Sequence, residues 1–166
     1  MTFRIERAHA RDLTKVKHLW KVMIADYERL SDGVWEVREP SEAWARRHQQ
    51  YLEWINDAGG IVFLAFDPDT DEVVGYAALH LVTSGAAFDL GESYGDVETL
   101  AVLPERRGQG IGLALLNACQ KELDRREIEY LSLETLASNA GALRLYERAG
   151  FQPFMMRMVR RVDFDE

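Results

Sequence analysis

The stretch Pro104-Glu105-Arg106-Arg107-Gly108-Gln109-Gly110-Ile111-Gly112 separates a strand-like run, Asp96 to Val102, from a helical one, Gly110 to Arg126. A further strand-like run, Tyr130 to Leu136, follows the helix, whose Leu115, Leu116, Cys119 and Leu123 share one inward stripe. Strand, helix and strand at this spacing leave room for one connection only, a crossover that returns the chain parallel to itself. A chain built around such a unit is an α/β domain.

The remaining segments fit that class. Phe3 to Arg7 reads as a short strand, and Leu13, Val16, Trp20, Met23, Ile24, Tyr27 and Leu30 recur at helical spacing up to Asp32-Gly33. A second helix is expected from Ser41, taken as its cap, to the break at Gly59-Gly60, with Trp44, His48, Tyr51, Leu52 and Ile55 on one face. Ile61 to Phe66 and Glu72 to Val82 flank the turn Asp67-Pro68-Asp69-Thr70-Asp71 and predict a hairpin. Thr83 to Gly95 reads as a loop, Asn139 to Arg148 as a last helix, and Phe151 to Val162 as a final strand. The expected fold is a single domain over residues 1–166: a mixed, largely antiparallel sheet flanked by helices on both faces.

Composition narrows the function. The 166 residues, 47% of them hydrophobic, suffice for one continuous core. With 28 acidic against 20 basic side chains, the formal charge of −8 argues against broad affinity for nucleic acid and keeps the protein soluble. The N-terminus lacks a basic-then-apolar leader, and no run approaches the roughly 20 apolar residues of a membrane span, so a cytoplasmic location is expected. The lone Cys119 has no partner for a disulfide, and the four histidines share no metal-ligand spacing, so no metal is expected. A covalent role for Cys119 is disfavoured because it lies on the apolar face of its helix. Of the histidines, His80 alone sits on a strand where it could line a pocket.

The glycine loop carries the chemical signal. Closely spaced glycines let the backbone approach an anion, and the helix they open offers unpaired N–H groups and partial positive charge. A tight turn alone would also use glycines. The loop lacks the Lys-Ser/Thr of a nucleoside-triphosphate loop, and glycines at 108, 110 and 112 do not follow G-x-G-x-x-G. Val97-Glu98-Thr99-Leu100-Ala101-Val102 followed by Arg107-Gly108-Gln109-Gly110-Ile111-Gly112 resembles the acetyl-CoA signature of the GNAT superfamily of N-acetyltransferases, whose loop reads Gln/Arg-x-x-Gly-x-Gly/Ala. A second stretch, Asn139-Ala140-Gly141-Ala142-Leu143-Arg144-Leu145-Tyr146-Glu147-Arg148-Ala149-Gly150-Phe151, is similar to that family's downstream Asn-x-x-Ala-x-x-Leu-Tyr-x-x-x-Gly-Phe. The N-terminal ninety or so residues match the family only in the order of expected elements.

The resemblance implies a parallel strand pair splayed apart to admit the pantetheine arm of acetyl-CoA. It implies cofactor contacts from Leu100, Ala101, Val102, Arg107, Gly108, Gln109, Gly110, Ile111, Gly112, Asn139 and Tyr146, with a backbone N–H near Leu100 to Val102 facing the oxyanion. An alkylamine is protonated at neutral pH, so transfer to nitrogen needs a proton acceptor. Glu98 is the candidate, since alternation puts it on the face of Leu100 and Val102, where partial desolvation makes it a better base; a structural salt bridge is its other reading. Tyr146 is the candidate acid for the departing thiolate, with a core tyrosine as its alternative. Asn139 serves equally as a helix cap.

The acceptor half is read from charge. Asp26, Glu28, Asp32, Glu36, Glu39, Asp89, Glu92 and Asp96, with Tyr27, Trp35, Phe88 and Tyr94 among them, suit an ammonium group. A cationic small molecule such as a polyamine or amino sugar leads, against a peptide or protein amine and against a non-catalytic acyl-CoA sensor. Phe154-Met155-Met156 offers an apolar stretch through which two copies could pair as a homodimer.

Overall fold

The computed structural model describes residues 3–163. Its five strands lie in chain order across one sheet: β1 (Arg4–Arg7), β2 (Gly60–Phe66), β3 (Val73–Thr83), β4 (Ser93–Val102) and β5 (Leu131–Leu133). The first three pairings are antiparallel, and β4–β5 is parallel, as the crossover demands. Helices α1 (Lys17–Ser31) and α2 (Pro40–Asn56) cover one face; α3 (Ile111–Arg125), with α4 (Ala140–Arg148) beside it, covers the other. No helix among the described residues is long and apolar enough to cross a membrane.

Two cores follow from this layering. On the first face Leu13, Val16, Leu19, Trp20, Trp44 and Tyr51 pack against Val62, Leu64 and Tyr76. On the second, Ile111, Leu115, Leu116, Cys119 and Leu123 pack against Val74, Ala77, Leu79 and Val97. Because β2 and β3 are buried on both sides, they read as near-continuous apolar runs.

Several boundaries differ from the sequence reading. Helix α2 is capped by the Glu39 carboxylate, which accepts from the Glu42 N–H at 3.0 Å, with Pro40 in the first turn, so Ser41 lies inside the helix. Strand β4 begins at Ser93, within the expected loop. Gly95 there is a packing device, since a Cβ would come within 2.6 Å of Leu123 Cδ1. The expected strand Phe151 to Val162 does not form: the described segment carries no ladder, and Phe154, Met155, Met156 and Met158 are exposed. Pro153 contributes no N–H donor there.

The decisive irregularity is in β4. Ala78 pairs with Thr99 but Leu79 with Val97, so Glu98 is the extra residue of a bulge. The β4–β5 ladder stops at Val97–Leu133, and the two strands part beyond it. This ending shortens β5 from the expected Tyr130–Leu136 to three residues.

Candidate active site

The splay and the glycine loop lie at one end of β4. Past Val97, β4 has no β5 partner. The Leu103 N–H bonds Val74 O at 2.9 Å on the β3 side, so alternation turns the N–H groups of Leu100 and Val102 toward the vacated side. Ala101 faces the first core, while Leu100 and Val102 face the second.

Gly108 and Gly110 adopt φ of +78° and +86°, a conformation that disfavours any side chain, and a Cβ on either would meet nothing within 4 Å. The concave backbone is thus open above. Gly110 caps α3 without a side-chain bond, and the first intrahelical bond runs from Ala114 N to Gly110 O, which leaves the N–H groups of Ile111, Gly112 and Leu113 without partners among the described residues, at the positive end of the helix. Gly112 lets α3 approach α4, where a Cβ would stand 3.2 Å from Leu145 Cδ2. Buried Ile111 anchors the turn below.

The loop's cations are engaged within the protein. Arg106 holds Asp67 at 2.5 Å and reaches Gln109 Oε1 at 3.3 Å. Arg107 bridges Asp26 of α1 at 2.9 Å and Val102 O at 3.3 Å. Backbone N–H groups, more than free guanidinium charge, are therefore what the loop presents to an anion. These features fit the diphosphate and pantetheine arm of acetyl-CoA: an open glycine cradle, an uncapped helix N-terminus and a strand edge with unpaired N–H groups beside it.

Glu98 departs from the expected geometry. The bulge turns it away from the face of Leu100 and Val102 and toward α2, where Oε1 pairs with Arg47 at 2.8 Å. The hydroxyl of Tyr51 donates to Oε2 at 2.9 Å, and the Thr99 hydroxyl donates to the same oxygen. Tyr76 stands 3.2 Å behind Tyr51, extending the network into the core. Arg47 also lies over the rings of Trp20 and Tyr51, at 5.2 and 5.9 Å from their centroids. Sequence reading passed over Arg47, although its four-residue spacing from Tyr51 puts both on one face of α2.

Tyr146 is half-buried on α4, edge-on to Phe151 at 6.0 Å. Burial, with a smaller contribution from Tyr27, pushes its hydroxyl up to about 12, so it keeps its proton at neutral pH. Tyr27 is itself raised, first by burial and then by the charge of Glu98. The tyrosine of α1 thus stands in electrostatic reach of both candidate residues. Asn139 caps α4, its Oδ1 accepting from Ala142 N at 3.1 Å. The buried Cys119 thiol is pushed up to about 12 by burial, which leaves it an unreactive packing group.

Comparison with known proteins places this fold in a family. Residues 26–151 match the Acetyltransferase (GNAT) family. The chain belongs to that family. Over 87 residues it is 40% identical to the [ribosomal protein bS18]-alanine N-acetyltransferase of Escherichia coli (strain K12), covering 49% of this chain and 59% of that protein. Over 129 residues it is 33% identical to the mycothiol acetyltransferase of Thermobispora bispora, covering 78% of this chain and 40% of that protein. The chain thus spans less than two thirds of either relative. A predicted acetyltransferase from Clostridium acetobutylicum, solved with acetyl-CoA, shares the fold with a TM-score of 0.73 at 15% identity, covering 96% of each chain.

Proposed function

We propose that this protein transfers an acetyl group from acetyl-CoA to a primary amine, by direct attack in a ternary complex, with a cationic small molecule as the lead acceptor. The observation that carries this reading is the parting of β4 from β5 after Val97–Leu133, next to the open turn at Gly108–Gly110. In this proposal the N–H groups of Gly108 to Gly112 hold the diphosphate, and Arg107 flanks it. Asn139 borders the pantetheine arm while capping α4. The Leu100 N–H, in the strand segment that includes Ala101 and Val102, faces the thioester oxygen, where a preplaced donor lowers the cost of the developing negative charge.

Tyr146 keeps its proton until the thiolate departs. Glu98 stands where β4 opens, held there by Arg47, Tyr51 and Thr99. Glu36, Asp89 and Glu92 are exposed beside Trp35 and Phe88, which supports a cationic acceptor. Asp26 and Asp96, in contrast, are occupied by Arg107 and His80. The E. coli relative, whose printed name specifies an alanine of a ribosomal protein, favours a peptide α-amine as the second reading.

Release of CoA thiol from acetyl-CoA tests the proposal. The panel comprises polyamines, amino sugars, amino acids and a peptide beginning with alanine, beside a control without acceptor. Acceptor-dependent release is expected. Tight acetyl-CoA binding with silence across the panel would point instead to a non-catalytic acyl-CoA sensor.

A further inference from the structure

Three strands bring a polar trio to the point where the sheet opens. His80 of β3 and Asp96 of β4 are cross-strand partners, and Asp96 pairs with Ser132 of β5 in the parallel ladder, one step before its last pair. Ser132 Oγ donates to Asp96 Oδ1 at 2.7 Å, while His80 Nε2 lies 3.0 Å from Asp96 Oδ2. Trp54 of α2 stacks on the imidazole with centroids 4.3 Å apart and planes within 4°. Both ionisable side chains are about a quarter exposed, at 24% and 22%. The ring therefore has a fixed plane, a fixed carboxylate and a route to solvent.

We propose that His80, oriented by Asp96, is the proton acceptor for the incoming ammonium; this rests on the acetyl transfer proposed above. With Nε2–H donating to Asp96, Nδ1 is the basic nitrogen, and it makes no protein hydrogen bond among the described residues. The Asp96 carboxylate behind one nitrogen and the Trp54 indole across the ring face hold the imidazole in one orientation, with Nδ1 turned away from Asp96. Among the described residues, Asp96 is the charged group within ion-pair distance of the ring. Glu98, two residues along the same strand, is committed to Arg47, Tyr51 and Thr99.

The proton balance closes. An ammonium proton passes to Nδ1, and the freed lone pair forms the C–N bond as the C–S bond breaks. The thiolate takes the proton of Tyr146, which is restored by the second proton lost from nitrogen. His80 then returns its own proton to solvent, so each turnover yields an amide, CoA thiol and one free proton.

The test measures kcat/KM for wild type, His80→Gln and Asp96→Asn from pH 6.5 to 9.5, with a peptide beginning with alanine and with glucosamine as probe amines. Near pH 7, His80→Gln is expected to lose roughly tenfold to a hundredfold. By pH 9.5 the loss should shrink to about twofold, because an α-amine of pKa about 8 is then neutral without help. Asp96→Asn preserves the shape of the trio and should show the same pH-dependent loss, smaller in size; it carries the test if His80→Gln does not fold. A loss of equal size at every pH, or none, would overturn the dyad while leaving acetyl transfer intact. A wild type that binds acetyl-CoA but acetylates neither amine nor any of the wider panel would overturn both.

Discussion

Tyr146 and Glu98 sit in contrasting surroundings: the tyrosine hydroxyl has no protein partner among the described residues, whereas the carboxylate is held by Arg47, Tyr51 and Thr99. Burial pushes the pKa of Tyr146 up to about 12. Tyr146→Phe should therefore leave thermal stability unchanged and lower kcat by roughly a hundredfold with little change in KM, read from CoA thiol release. The same burial means that any alkaline fall in activity below about pH 11 has another origin. The place of Tyr146 on α4 was legible because it belongs to a spaced motif on a regular helix. The orientation of Glu98 was not, since strand alternation holds only while the register does, and the extra residue of a bulge leaves no mark in composition. Likewise the link between His80 and Asp96 depends on pairing across 16 residues of chain, a relation that local spacing does not display.

At the scale of elements, the glycine turn and the α4 cap can be separated experimentally. Asn139→Ala should cost about 1 kcal/mol by loss of the bond to Ala142 N, measured by denaturant unfolding. If the asparagine also borders the pantetheine arm, acetyl-CoA affinity falls beyond what that loss of stability explains. Gly110→Ala should cost about 1–2 kcal/mol of backbone strain at φ +86° and weaken acetyl-CoA binding more than it weakens folding, seen by comparing calorimetric titration with melting. The hairpin, both long helices and the crossover were readable from period and turn chemistry. The C-terminal strand was not, because apolar composition indicates the capacity to pair, whereas pairing requires an accessible partner edge. Here β5 ends after three residues and the described segment beyond Phe151 has no ladder.

For the molecule as a whole, ion-paired carboxylates set how stability depends on pH. Arg106 across the β2–β3 turn holds Asp67 below its ordinary range; at Glu122, burial alone would raise the value, but Arg125 and Arg126 outweigh it. A depressed folded-state pKa contributes stability that is complete above the unfolded value and is lost as pH falls through the folded one. The urea midpoint should therefore be flat from about pH 8 to 5 and drop below about pH 4, where unfolded carboxylates begin to bind protons. The central claim, that the opened sheet and the glycine loop together move an acetyl group onto nitrogen, is tested most directly by mass spectrometry of the acceptor. After incubation with acetyl-CoA, a peptide beginning with alanine or an amino sugar should gain the mass of one acetyl group, located on its amine by fragmentation and absent without enzyme. Acceptors unchanged in mass across the whole amine panel, with acetyl-CoA bound and intact, would contradict the account.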